Sequence, residues 1–211
     1  MAETSLLLYG ARNSGHAYKV RLFLLLAGIP HSYRPFDLSV PRDRRPAEFR
    51  GAAKFGEVPV LIENGRALVQ SNAILLHLAR KHRRFGAKDE SGWDEITAWL
   101  FWEANRIGRS YANLRYHRAM NGGGAPDLVA WFEATAYDDL SRLDAELAGK
   151  TFLLGELTVA DLSCAGYLLY ADYPAIGIER WPHVAAWLDR IRALPRYRPP
   201  QDAMARETAD V

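Results

Sequence analysis

The sequence predicts an α/β domain followed by an all-α domain. Residues 1–84 alternate short apolar runs with helical patterns in the order βαβαββα, whereas residues 93–211 form a helical domain in which helical spacing dominates. Between them, residues 85–92 (FGAKDESG) are polar and contain two glycines, which is typical of a linker. With 211 residues, the chain is long enough for two small domains.

The first βαβ unit covers residues 6–38. The apolar run LLLY at 6–9 predicts a buried strand, and residues 16–28 predict a helix that ends at Gly28. Residues 31–38 predict a second strand. Because a helix connects the two strands, the simplest arrangement is parallel.

A short helix, a hairpin and a longer helix complete the first domain. The short helix is expected around residues 46–50. The dipeptide Asn64-Gly65 between the runs VPVLI and RALVQ is the strongest short hairpin signal. Ser71 is expected to cap the helix of residues 71–82. The residues that then face inward are Ile74, Leu75 and Leu78.

The second domain is predicted to contain four helical segments, at residues 93–119, 126–148, 158–172 and 181–194. From Arg196 onward the prolines predict an irregular tail over the surface. Thr158 and Asp161 in LTVADL are spaced as a capping box, in which each side chain bonds to the backbone of the other. We interpret this motif as a folding feature without a catalytic role.

The bulk composition excludes several classes of function. The 27 basic residues nearly balance the 25 acidic ones, so that nucleic-acid binding is not expected. No stretch approaches the roughly 20 apolar residues of a membrane span, and the N-terminus does not read as a signal peptide. The single cysteine, Cys164, allows no internal disulfide, which suits the cytoplasm. The histidines lack metal-ligand spacing, so no metal is expected.

Three motifs resemble those of the cytosolic glutathione S-transferase family. They are VPVL at 58–61 with QS at 70–71 before an apolar helix, LTVADL at 157–162, and LYGARNSGHAYKVRLFL at 8–24. The last is similar to the active-site loop and first helix of the serine-type theta-, zeta- and omega-like branches, and a bacterial nu-like branch is an alternative. The resemblance spans about residues 6–195. It implies a thioredoxin-like first domain, a homodimer, and glutathione as co-substrate.

The resemblance also implies how glutathione is bound. A cis peptide bond before Pro59 would turn the Val58 backbone outward, where it can pair with an extended peptide. Gln70 and Ser71, at the start of a helix, would bind the γ-glutamyl end, since helix N-termini attract anions. Arg44 is the candidate for the glycine carboxylate. Glu57 departs from the family, because a carboxylate beside an anionic peptide is not expected to favour binding.

In the family that the sequence resembles, the group that stabilises the glutathione thiolate lies at the start of the first helix. Ser14 is the first candidate, because a hydroxyl can donate a hydrogen bond to sulfur and the helix N-terminus lowers the thiol pKa. Asn13 is the second candidate, and Tyr9 is the third. Because residue 14 is a serine, chemistry through a protein mixed disulfide at that position is not expected.

The resemblance implies an enzyme that adds the glutathione thiolate to a small hydrophobic electrophile, as in detoxification. The candidates for the electrophile pocket are Tyr9, Tyr111, Arg115 and His117. Two alternatives stay open. One is a glutathione-dependent isomerase or disulfide reductase, and the other is a non-catalytic binding or regulatory protein with the same scaffold.

Overall fold

Four strands form one mixed sheet in the first domain. In the computed structural model, which describes residues 5–170 and 175–208, they are β1 (Leu6–Gly10), β2 (Ser32–Pro35), β3 (Val60–Glu63) and β4 (Arg66–Val69). The order across the sheet is β2-β1-β3-β4. Strand β2 runs parallel to β1, and β3 runs antiparallel to both β1 and β4. The predicted parallel pair and hairpin are therefore confirmed.

The hairpin turns at Asn64 and Gly65, whose φ angles are 49° and 81°. Positive φ at both positions gives the turn that matches the twist of its strands. Strand β2 is shorter than the predicted 31–38, because its partner β1 ends at Gly10. The N–H of Phe36 donates to the Gly10 carbonyl, and the register of the pair goes no further.

Three helices pack on the sheet: α1 (Gly15–Ala27), α2 (Ala47–Ala52) and α3 (Ser71–His82). Gly28 ends α1 with φ 67°, as predicted. The prediction that Ser71 caps α3 is wrong. Gln70 occupies the cap position with φ 67°, because the chain turns there directly out of β4, and Ser71 is the first helical residue. The inward-facing residues are fully buried as expected, namely Ile74, Leu75 and Leu78.

The second domain contains α4 (Glu90–Asn105), α5 (Ser110–Ala119), α6 (Pro126–Leu147), α7 (Val159–Leu168), α8 (Pro182–Arg192) and α9 (Pro200–Ala203). Helix α4 begins inside the predicted linker, because Asp89 caps it by accepting from the N–H of Gly92 at 2.8 Å. The single helix predicted over 93–119 is two helices. The chain leaves the helical conformation at Arg106 (φ −114°, ψ −92°) and passes close to Glu103 at Gly108.

The capping box is confirmed at the start of α7. The N–H of Thr158 donates to Asp161 Oδ2 at 2.9 Å, and Thr158 Oγ1 accepts from the N–H of Ala160 at 3.3 Å. Of the helix predicted over 158–172, residues 171 and 172 lie outside the described residues.

The tail is more ordered than the prolines predict. Met204 is fully buried and its Cε lies 3.0 Å from the point where a Cβ on Gly10 would stand. Thr208 forms an antiparallel bridge with Tyr33 at the edge of the sheet. The prediction of an irregular surface tail is wrong for this part, because buried apolar contacts and backbone pairing hold it to the first domain.

Candidate functional site

Two adjoining cavities open where the two domains meet. The smaller has a volume of about 410 Å³ and the larger about 1040 Å³. They share His16, Glu57 and Val58. One extended ligand could therefore reach from one cavity into the other.

The smaller cavity lies against the segment before β3 and the start of α3. The peptide bond between Val58 and Pro59 is cis, as the resemblance implies. Within the described part of the chain, the N–H and C=O of Val58 form no backbone hydrogen bond, although the residue itself is buried. Both groups are thus available to pair with an extended peptide, which would bind here in the way that an additional strand binds to the edge of a sheet. Gln70 and Ser71 line the same cavity at the N-terminus of α3.

The loop before α1 forms the floor of the larger cavity, where Arg12, Asn13 and Ser14 all line it. Ser14 Oγ accepts a hydrogen bond from the N–H of Ala17 at 3.1 Å and so caps α1. That bond uses an oxygen lone pair and leaves the hydroxyl hydrogen for a second partner. The Tyr167 hydroxyl also bonds with the Ser14 side chain, so Ser14 can cap the helix and donate to a ligand when Tyr167 is the donor of that bond.

Tyr167 on α7 also lines the larger cavity. Its ring lies so close to Gly15 that a Cβ there would stand 2.5 Å from the ring, which requires glycine at this point. Burial raises the pKa of Tyr167 to about 12, against the lowering effect of hydrogen bonds with the His16 backbone and the Ser14 side chain. The hydroxyl therefore stays protonated at neutral pH. Gly15, the first residue of α1, was the signal in the sequence for this close crossing of α1 and α7.

Two buried side chains of the second domain fix the backbone of this loop. Arg115 donates to the carbonyl of Asn13 at 3.0 Å, and the Tyr170 hydroxyl donates to the carbonyl of Arg12 at 3.0 Å. The guanidinium of Arg115 also lies 4.2 Å from the centre of the Tyr170 ring. Through these contacts, the second domain holds in place the two residues of the first domain that precede Ser14.

The candidates for the electrophile pocket lie elsewhere. Tyr111 and Arg115 are buried on the inner face of α5, and His117 stacks near Phe132 at 5.9 Å between ring centres. None of the three lines either cavity. The residues of α5 and its C-terminal end that line the larger cavity are Ala112, Asn113, Tyr116 and Met120. Aromatic spacing alone did not reveal which face of α5 turns outward.

Tyr9 is also engaged away from the cavities. Its hydroxyl donates to Glu48 at 2.8 Å and accepts from Arg34 at 3.1 Å. Burial raises the pKa of Tyr9, and the hydrogen bond to Glu48 raises it further. Tyr9 lines neither cavity, so the geometry gives no support to it as the group that stabilises a thiolate.

The candidate cation for the glycine carboxylate also lies outside the cavities. Arg44 is exposed in a single helical turn over Arg42–Arg44. The neighbouring Arg45 lines the larger cavity, but its guanidinium donates to backbone carbonyls, namely those of Leu38, Val40 and Gly56. Arg12, which is exposed and lines the larger cavity, is a further cation near the site.

A buried ion pair lies behind the smaller cavity. Lys19 on α1 donates to Glu103 on α4 at 2.7 Å, and both side chains are 1% exposed. Asn72 and Ser163 donate to the same carboxylate oxygen at 3.1 and 3.0 Å. Burial alone would raise the pKa of Glu103, but the charge of Lys19 brings it below its usual value. The pair was not predicted from the sequence, although a charged residue within each of two apolar helices was a signal for it.

His16 stands between the two cavities. Its ring packs edge-on against Tyr167 at 5.0 Å between centres. Among the described residues, its buried Nδ1 and the Oε1 of Glu103 have no hydrogen-bond partner. Burial, together with the charge of Lys19, lowers the pKa of His16 to about 4. His16 is therefore neutral at physiological pH.

Two kinds of feature are absent from the part of the chain that the structure describes. In residues 5–170 and 175–208, no group of three or more potential ligands is arranged to hold a metal ion. Over the same ranges, the helices lack the combination of length and apolarity that spanning a membrane requires.

Comparisons with known proteins place this geometry in a family. The family model described as the glutathione S-transferase N-terminal domain matches residues 8–87, and the corresponding C-terminal domain model matches residues 126–190. Glutathione S-transferase 3 of Zea mays is 29% identical over 203 residues, which cover 90% of each chain. The Disulfide-bond oxidoreductase YfcG of Escherichia coli is 24% identical over 188 residues, covering 85% of this chain and 87% of that one.

Among solved structures, a glutathione S-transferase from Pseudomonas fluorescens is similar with a TM-score of 0.85 and 26% identity, covering 92% of this chain and 98% of that chain. Both domains thus match in sequence and in their arrangement along the chain. The βαβαββα domain is accordingly thioredoxin-like and the second domain is the helical domain of the same family. The chain belongs to the glutathione S-transferase family.

Proposed function

We propose that the protein is a glutathione transferase that adds the glutathione thiolate to a small hydrophobic electrophile. The observation that carries the proposal is the meeting of the two cavities at Val58, with Ser14 at the start of α1 in one and Ser71 at the start of α3 in the other. The smaller cavity would hold the γ-glutamyl end, and the larger would hold the cysteinyl sulfur and the electrophile.

The chemistry follows from the groups around Ser14. Its hydroxyl hydrogen would donate to the sulfur, and the N-terminus of the 13-residue helix α1 would stabilise the negative charge. Both effects lower the thiol pKa from its free value of about 8.5. The thiolate would then attack the electrophile, form a carbon–sulfur bond and expel the leaving group. Ala112, Tyr116 and Met120 would supply the apolar wall.

The test is the pKa of bound glutathione, followed by thiolate absorbance in the ultraviolet, together with turnover of an aryl halide. Ser14→Gly removes the hydroxyl while glycine remains an acceptable helix cap. In that variant the thiol pKa should rise toward its free value and turnover should fall, whereas Asn13→Ala should change neither by as much. No binding by the wild type at millimolar glutathione would refute the proposal. Equal effects of the two variants would show that the Ser14 hydroxyl is not the group that stabilises the thiolate.

A second candidate is reduction of small disulfides by glutathione, favoured by two observations. One is the similarity to the Escherichia coli disulfide-bond oxidoreductase. The other is that Cys164 is fully buried, and burial raises its thiol pKa well above the usual value. Glutathione would thus have to supply the thiol chemistry, with two molecules oxidised to glutathione disulfide for each disulfide reduced to two thiols. Turnover of a small disulfide, compared with the aryl halide, separates the two reactions.

We further propose a homodimer, with the rim of the smaller cavity facing the partner. Phe101 on α4 is 74% exposed and Phe55 is 46% exposed, and both line that rim. Covering these rings with a second copy would remove them from water and close the cavity on its open side. Light scattering of the wild type should give a dimer, and Phe101→Glu should shift it toward monomer. A single cysteine allows no internal disulfide, which is consistent with the cytoplasmic, reducing location that we propose. Detoxification of small electrophiles is the role that we propose for the transferase reaction.

A further inference from the structure

Glu57 is a charge that the expected glutathione chemistry does not explain. The residue is exposed, lines both cavities and directly precedes Val58. In the described part of the chain it forms no ion pair. The other acid that lines the smaller cavity, Glu103, is neutralised by Lys19. An uncompensated negative charge therefore faces the place where a peptide with two carboxylates would bind.

The position of Glu57 is linked to that of Gln70. Gln70 Nε2 donates to Glu57 Oε2 at 3.4 Å. The backbone of Gln70 has φ 67°, which is uncommon for a residue with a Cβ and persists where the surroundings enforce it. Because the amide nitrogen faces Glu57, the amide oxygen of Gln70 is left as a further acceptor. Two acceptors of which one is anionic form a suitable site for an ammonium group.

The neighbouring start of α3 prefers the opposite charge. Ser71 is the first residue of this 12-residue helix, and its free backbone N–H groups favour a carboxylate. An anion-binding helix end and an uncompensated carboxylate thus lie side by side along one cavity. This pair complements an α-amino acid end, which carries a carboxylate and an ammonium on the same carbon.

We propose that Glu57 binds the ammonium of the γ-glutamyl group and makes the site selective for ligands with a free amine at that end. The inference rests on the proposed function, in which the smaller cavity receives glutathione. Glu57 would supply the negative charge that Gln70 lacks. Glu57 would then favour binding of glutathione, whereas from the sequence alone its carboxylate was not expected to do so.

Calorimetric titration of the full chain with two ligands tests the proposal. The ligands are glutathione and its desamino analogue, in which hydrogen replaces the γ-glutamyl amine. The wild type should bind glutathione about tenfold more tightly than the analogue, as expected for a hydrogen bond between charged groups. Glu57→Gln should weaken glutathione binding about tenfold and should not weaken binding of the analogue. Glu156→Gln is the matched control, because Glu156 is exposed and lines neither cavity.

A double variant tests whether the charge can be moved. Glu57→Gln combined with Gln70→Glu keeps one carboxylate at the site and should regain most of the preference for glutathione. The proposal is overturned if Glu57→Gln binds glutathione as tightly as the wild type or more tightly, or if the wild type does not distinguish the two ligands. A wild type that binds neither ligand overturns the proposed function itself, which distinguishes the two failures.

Discussion

Asp161 and Glu103 are two of the carboxylates that are almost fully buried in the helical domain, and their partners lie at different distances along the chain. Asp161 is 0% exposed and accepts from the N–H groups of Leu153 and Thr158, both at 2.9 Å and both within eight residues. Glu103 is 1% exposed and pairs at 2.7 Å with Lys19, which lies 84 residues earlier in the other domain. One acid therefore closes a local motif, and the other ties the two domains together.

The two arrangements have different electrostatic consequences. Burial raises the pKa of Asp161, although hydrogen bonds from the Leu153 and Thr158 backbone act to lower it. Burial would also raise the pKa of Glu103, but Lys19 brings it below the usual value. Glu103 lines the smaller cavity, whereas Asp161 lines neither cavity. A change at Asp161 should thus affect folding alone, whereas a change at Glu103 or Lys19 should affect folding and the site.

The largest effect is expected from Lys19→Met, which leaves the charge of Glu103 buried without its partner. Such a loss costs about 3–5 kcal/mol of unfolding free energy. Urea unfolding at neutral pH measures it. Adding Glu103→Gln should recover part of the loss, because the unpaired charge is then removed. If the single and double variants are equally unstable, the ion pair is not the reason for the cost.

Asp161→Ala should be the next most destabilising change, at about 2–4 kcal/mol, because buried donors lose their acceptor. These donors are the backbone N–H groups of Leu153 and Thr158 and the indole of Trp187, which donates at 3.0 Å. Asp89→Ala removes an exposed helix cap and should cost only about 1 kcal/mol. Turnover per folded molecule should be unchanged in both variants. A loss of turnover in folded Asp161→Ala would contradict the purely structural role.

The contrast between contacts within a local motif and contacts between distant residues also explains what could be predicted from the sequence. The capping box, the Asn64-Gly65 hairpin and the end of α1 at Gly28 each depend on a few neighbouring residues, and all three are confirmed. The match of Val58 and Pro59 to the family pattern implied the cis bond for the same reason.

Features that depend on distant contacts could not be predicted. The Lys19–Glu103 pair and the packing of Tyr167 on Gly15 join different domains, so a local pattern can mark one residue as unusual but cannot identify the residue that it contacts. The break between α4 and α5 has the same origin, since Gly108 is one glycine in a continuous helical pattern. The lining face of α5 depends on how the helix is rotated against its neighbours, which periodicity alone leaves undetermined.

His16, which lines the smaller cavity together with Glu103, should make the free energy of unfolding depend on pH. Its pKa is lowered to about 4, compared with about 6.5 in an unfolded chain, so the unfolded state binds more protons between these values. The stability from neutral His16 is complete above about pH 6.5 and is lost as the pH falls toward 4. The expected loss is about 2–3 kcal/mol. Urea unfolding from pH 7.5 down to pH 4.5 measures it.

His16→Asn should flatten most of this slope, because the variant has no imidazole to protonate. The slope that remains should come from His82, whose pKa burial also lowers, and, with the opposite sign, from Asp161, whose pKa burial raises. Glu103 and Glu63 have lowered pKa values, so their contributions are lost only at lower pH. An unchanged slope in His16→Asn would show that the desolvated imidazole does not control stability in this range.

Among the changes around Glu103, the smallest effect is expected from Gly108→Ala, which tests how closely the chain packs beside Glu103. A Cβ at residue 108 would stand 2.8 Å from Glu103 Oε1 and 3.1 Å from His16 Cε1. These side chains must move, at a cost of about 1–3 kcal/mol. Gly51→Ala is the matched control, because it lies in α2 with nothing within 4 Å and should be neutral or slightly stabilising. Since Gly108 also lines the larger cavity, Gly108→Ala should raise the KM for the electrophile, whereas Gly51→Ala should not. Equal stability and KM in the two variants would mean that the junction of α4 and α5 is looser than these distances imply.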